Sequence, residues 1–117
     1  MGRLTTHVLN TAQGCPAAGM QLALFRLGGG RRMLVRATQT NADGRCDTPL
    51  LEDAGFLAGE YELVFQAGEY FQTRSIALPD PPFLNEVVLR FGIADPEQHY
   101  HVPLLISPWS YSTYRGS

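Results

Sequence analysis

Apolar and polar positions alternate along most of the chain, and that alternation predicts strands. In residues 4–10 (LTTHVLN), Leu4, Thr6 and Val8 share one face, while Thr5, His7 and Leu9 share the other. A period of two is the mark of a half-buried strand. Residues 20–27 (MQLALFRL) set Gln21, Ala23, Phe25 and Leu27 against Met20, Leu22, Leu24 and Arg26. Between these two strands, TAQGCPAAG reads as a loop, as its Gly and Pro require. Gly28-Gly29-Gly30 is a hairpin turn into a third strand over 32–40, and Asn41-Ala42-Asp43-Gly44 is the reversal after it. That turn sets Arg45 at the start of the next segment.

Further on, GEYELVFQ (59–66) is a strand, and AGEYFQTR (67–74) is one or two turns of helix. After the breaker Pro79-Asp80-Pro81-Pro82 come strands over 85–93, 100–107 and 110–116. Pro103, inside the second of these, predicts an edge position or a bulge, because proline cannot donate to a ladder. Short strands with at most one helix predict an all-β fold, a sandwich of antiparallel sheets. No βαβ alternation is present, so Rossmann and TIM architectures are excluded. At 117 residues, without internal repeat or linker, residues 1–117 form one domain.

Charge narrows the function. The net charge is −2, which argues against a nucleic-acid binder working by phosphate neutralisation. All nine basic residues are Arg. With no Lys, Schiff-base chemistry, a P-loop lysine and a Ser-Lys pair are all excluded. The longest apolar stretch, Val102 to Ile106, is too short to span a bilayer, so no membrane partner is expected. The opening residues lack the apolar core of a secretion signal, which makes the cytoplasm the expected compartment. Cys15 and Cys46 are then free thiols. Cys46 follows Arg45, whose charge would favour a thiolate, but a small packed residue is the expectation.

Polar residues at unusual places gather at His7, at Asn41 to Arg45, and over the last nineteen residues. His99-Tyr100-His101 on a strand puts both imidazoles on one face with Tyr100 opposite. That spacing serves proton transfer or metal ligation, though a pair of surface histidines has the same pattern. The terminal Ser110-Tyr111-Ser112-Thr113-Tyr114-Arg115-Gly116-Ser117 alternates like a strand to its end. Either its aromatics pack as a last strand, or the terminus itself lines a site.

LTTHVLNTAQGCPAAG, TNADGRCDTPLL, HYHVPLL and the terminal YSTYRGS together resemble the 5-hydroxyisourate hydrolase family, the transthyretin-related enzymes of purine catabolism. The resemblance runs over essentially the whole chain, and YRGS and HYHVPLL are its most specific blocks. It implies a transthyretin-like sandwich of two four-stranded sheets with one short helix, assembled as a homotetramer with its sites where dimers meet. The implied reaction opens a ring amide of 5-hydroxyisourate to give 2-oxo-4-hydroxy-4-carboxy-5-ureidoimidazoline, with no cofactor and no metal. His7, Arg45 and His101 match the catalytic positions of the family. His99 and the Tyr114-Arg115-Gly116-Ser117 end match residues that bind substrate. Ser110 departs from the family, which more often has Gly there.

Hydrolysis of a cyclic amide needs an activated water, a stabilised oxyanion and a proton for the leaving nitrogen. The chain has no G-x-S-x-G elbow, so direct attack by water is more economical than an acyl-enzyme. His101 and His7 are the candidates for proton transfer, with the order between them open. Arg45 presents a planar cationic fork suited to the carbonyls of a flat anionic ligand. The competing readings are a transthyretin-like carrier of a small ligand, a zinc site of His7, His99 and His101, and a purely structural sandwich.

Overall fold

The computed structural model describes residues 2–117. In chain order the elements are β1 (Arg3–Asn10), β2 (Cys15–Pro16), β3 (Gln21–Gly28), β4 (Arg31–Gln39), β5 (Leu51–Glu52), β6 (Gly59–Gln66), α1 (Ala67–Thr73), β7 (Glu86–Ile93), β8 (Tyr100–Ile106) and β9 (Tyr111–Thr113). Two sheets face each other. One runs β4-β3-β6-β7; the other runs β2-β1-β8-β9 with β5 also on β1. The sandwich therefore has four strands in one sheet and five in the other, rather than four in each, because β2 and β5 add two-residue pairings to β1.

Alternation decides which face is inside. In β1, Leu4, Thr6, Val8 and Asn10 are buried while Thr5, His7 and Leu9 are half-buried. The core is completed by Leu22 and Leu24 of β3, Leu63 and Phe65 of β6, Val87 and Leu89 of β7, and Val102, Leu104 and Ile106 of β8. The buried hydroxyl of Thr6 donates to the Val102 carbonyl at 2.7 Å, so it carries no unpaired polar group into the core. Helix α1 buries Ala67, Gly68, Tyr70 and Phe71, and the Tyr70 hydroxyl accepts from Asn10 at 3.2 Å.

Two strand expectations are corrected. The sheets are not wholly antiparallel: β1 and β8 run parallel, in register from Leu4↔Tyr100 to Asn10↔Ile106. Side-chain alternation is the same in either direction, so it carries no information on polarity. Pro103 lies in β8, an inner strand between β1 and β9, not at an edge. What it breaks is the ladder toward the tail. The β8–β9 pairing stops at Leu104↔Thr113, and the same register resumes as a lone bridge at His101↔Gly116. Between them Pro103 stands opposite Tyr114, a rung that needs the N–H proline lacks. Thr113 Oγ1 instead donates to the Pro103 carbonyl at 2.7 Å. The last strand is therefore Tyr111–Thr113, shorter than the alternation over 110–116 predicts.

Candidate active site

The outward face of β1 and β8 carries the site. Period two places Arg3, Thr5 and His7 on that face of β1, and the parallel register sets Thr5 beside His101 and His7 beside Pro103. Tyr100, on the opposite face, is only 7% exposed. Its hydroxyl accepts from the backbone N–H groups of Ala94 and Asp95, both at 3.1 Å, and its ring packs edge-on to Phe56. The tyrosine between the two histidines thus anchors the start of the strand that presents His101, while His99 lies just before β8 rather than on it as the H-x-H spacing predicts.

The segment after β4 folds back alongside β1. Asn41 organises it: its side-chain oxygen accepts from the N–H groups of Asp43 at 2.9 Å and Arg45 at 3.1 Å, while its amide donates to Asp47 at 3.0 Å. Gly44 makes the close approach. It has φ of 78°, its carbonyl accepts from Val8 N–H at 2.8 Å, and a Cβ there would lie 2.4 Å from the Val8 carbonyl oxygen. Only glycine meets both demands. The result is a bridge of His7 with Arg45. His7 Nε2 is held by the Asp43 carbonyl at 2.9 Å. We expect Gly44→Ala to cost about 2–3 kcal/mol in urea unfolding, from left-handed strain plus a backbone clash. Gly29→Ala, at φ 58° in open space, is expected to cost only about 1 kcal/mol. Equal costs at the two glycines would remove the clash from this account.

Between the 45–49 segment and the sheet face lies a cleft of about 360 Å³, bordered by Arg3, Thr5, Arg45, His99, His101 and Ser117, with Cys46 to Pro49 along one side. Of the residues singled out in the sequence, Arg45, His99, His101 and Ser117 meet here, and His7 stands beside them through its bridge to Arg45. Gly116 forms the wall behind His101: the two exchange backbone hydrogen bonds at 3.2 and 2.7 Å, and a Cβ on Gly116 would press on the His101 ring.

Tyr114 and Arg115 are placed elsewhere, along a separate groove between β7 and β9. Arg115 acts as a strap: it donates to the Gln98 side chain at 3.1 Å and the His99 carbonyl at 3.0 Å, and its guanidinium lies 4.3 Å from the Tyr100 ring centre. It makes no ion pair with the terminal carboxylate; among the described residues the ion pairs are those of Glu62 with Arg32 and Arg90.

Thr5 was not singled out by its sequence context, yet its hydroxyl lies 2.8 Å from His101 Nδ1. The available signal was position: it shares a strand face with His7. Arg3 lies one residue before the strand read over 4–10; β1 begins with it, and the alternation then puts it on the same face. Electrostatics distinguish the two ionisable groups in the cleft that are displaced from their ordinary behaviour. Burial, then the positive charge of Arg45, then His7, hold the His101 imidazole below the ordinary histidine range. Burial pushes the Cys46 thiol up, with Arg36 opposing and Asp47 adding to the rise. Cys46 also packs against the core, so it is a packed residue and no activated nucleophile. Among the described residues no three His, Cys, Asp or Glu side chains are grouped in the way a metal site needs.

Residues 4–116 match the HIUase/Transthyretin family. The chain belongs to that family. A relative from Rhizobium meliloti (strain 1021), named 5-hydroxyisourate hydrolase 2, is 63% identical over 116 residues, which is 99% of this chain and 97% of the relative. The crystal structure of an (S)-allantoin synthase superposes with a TM-score of 0.95 and 50% identity over 99% of this chain, which spans 44% of that longer one. Klebsiella pneumoniae 5-hydroxyisourate hydrolase superposes with a TM-score of 0.82 at 32% identity, over the whole of both chains. The transthyretin-like sandwich expected from the motifs is thus the fold of this family member.

Proposed function

We propose that this protein is a 5-hydroxyisourate hydrolase, and that its own cleft residues carry the reaction. The observation that carries the reading is the convergence of His101, Arg45, His99 and Ser117 on one cleft, with His101 held below the ordinary histidine range. A neutral imidazole at working pH is what a general base requires. His101 Nε2 takes a proton from water as its oxygen attacks the ring-amide carbonyl carbon. Arg45 donates to the oxygen on which negative charge builds. The carbon–nitrogen bond then breaks, and the leaving nitrogen takes up a proton, with His7 or the protonated His101 supplying it. The product is 2-oxo-4-hydroxy-4-carboxy-5-ureidoimidazoline. His99 and Ser117 border the substrate, and Gly116 holds the wall behind His101. Arg115 serves the same reading indirectly, by tying the terminal segment that carries Ser117 to Gln98 and His99, while Tyr114 stands exposed beside it.

A carrier of apolar ligands would need an apolar lining, and Arg3, Arg45, His99, His101, Asp47 and the terminal Ser117 border this cleft. The reading also takes the enzyme to be a cytoplasmic homotetramer in which dimers meet over the cleft-bearing sheet face. Its two free thiols suit a reducing compartment.

The test follows freshly generated 5-hydroxyisourate against its spontaneous decay. Decay no faster than the blank would sink the proposal. A tag on Ser117 is expected to abolish most of the acceleration, since that residue borders the cleft, while a tag on the N-terminus leaves it largely intact. Equal rates for the two tagged forms would take Ser117 out of the site.

A further inference from the structure

We propose that Thr5 is a positioning residue that fixes His101 as its Nδ1–H tautomer, aiming the Nε2 lone pair into the cleft. The proposal rests on the reading of His101 as the base, and it adds what makes that base competent. A neutral imidazole carries one proton on either nitrogen, and only the other nitrogen can accept. Nδ1 lies 2.8 Å from Thr5 Oγ1. Among the described residues Nε2 has no hydrogen-bond partner.

Two features of the fold make this pairing rigid. Thr5 and His101 are register partners on adjacent parallel strands, so their backbones are fixed relative to one another before any side chain turns. The backbone of His101 is also bonded on its other side, to Gly116, in both directions. A β-branched threonine on a strand has few χ1 options, so its hydroxyl is held where it is needed. A hydroxyl can donate or accept, and electrostatics decide which it does here. Arg45 borders the same cleft and its charge acts on His101. A positive charge there favours a lone pair on the cleft-facing nitrogen and disfavours an N–H. The proton therefore sits on Nδ1, and Thr5 Oγ1 accepts it.

The test combines ¹⁵N imidazole spectra with turnover for the native chain, Thr5→Val and Thr5→Ser. Valine keeps the shape and the β-branching and removes only the hydroxyl; serine restores it. The native spectrum is expected to show His101 protonated on Nδ1 and Thr5→Val to show a mixture of tautomers. The valine variant should lose about tenfold in kcat, the size of one hydrogen bond, at nearly unchanged KM. Thr5→Ser should recover both the spectrum and the rate. A native Nε2–H tautomer, or an identical spectrum in Thr5→Val, overturns the proposal. A changed tautomer with undiminished turnover upholds Thr5's hold on the ring and removes His101 from the role of base. Should Thr5→Val unfold, the native and Thr5→Ser spectra alone decide, because both must show the Nδ1–H form.

Discussion

His101→Asn is expected to lower kcat/KM for 5-hydroxyisourate by about 10²–10⁴-fold, the usual worth of a positioned general base. Asparagine keeps a polar group of similar reach while losing the capacity to take a proton. The fold should be indifferent to the change. His101 sits on the outward face of β8, and the strand is held by Tyr100, Val102, Leu104 and Ile106 on the inward one. Its backbone bonds to Gly116 do not involve the side chain. The measurement is a progress curve corrected for spontaneous decay, with thermal unfolding of the same sample as control. A loss below about threefold, at unchanged unfolding temperature, would mean that another group activates the water, and His7 would be the next to replace.

The parts of this molecule that were legible in advance are those where one local rule settles the matter. Period two put Leu4, Thr6 and Val8 on one face of the strand and Thr5, His7 and Leu9 on the other, and the first three are buried while the second three are half-buried. The Asp-Gly reversal predicts Arg45 at the start of the next segment, and it stands there; that the segment lies beside β1 rests on Gly44, which supplies both the positive φ and the close approach to Val8. What escaped was set by pairs of distant residues. The parallel match of β1 with β8 brings Thr5 to His101 across 96 positions of sequence, and alternation within either strand is silent on it. The tail shows the same limit. Its alternation predicts a strand to the end, yet the partner strand has Pro103 where Tyr114 needs a donor, so the tail leaves the sheet and returns at Gly116. That detour carries Arg115 to its strap across Tyr100 and brings Ser117 to the cleft. Sequence motifs marked the tetrapeptide as one unit; the structure sets Ser117 at the cleft, Gly116 behind His101 and Arg115 across Tyr100.

Arg45 carries two effects that a pair of substitutions should separate. Arg45→Gln is expected to lower kcat/KM by about 10²–10³-fold, through loss of a charged donor to the developing oxyanion. It should also move the acidic limb of the pH profile. Activity requires neutral His101, and the guanidinium destabilises the imidazolium, which is one reason that the native limb is expected below the ordinary histidine value. Removing the charge raises the His101 pKa, so the limb shifts to higher pH. It does not return fully to the ordinary value, because burial is the larger cause and remains, and His7 contributes as well. Arg45→Lys keeps a positive charge near His101 and loses the planar fork. Its limb should stay close to the native one while its rate falls nearly as far as that of the glutamine variant. A limb that fails to move in Arg45→Gln, or moves to lower pH, would show that Arg45 does not act on the base. A lysine variant with native rate would show that charge alone, without the two-pronged geometry, is enough to stabilise the oxyanion.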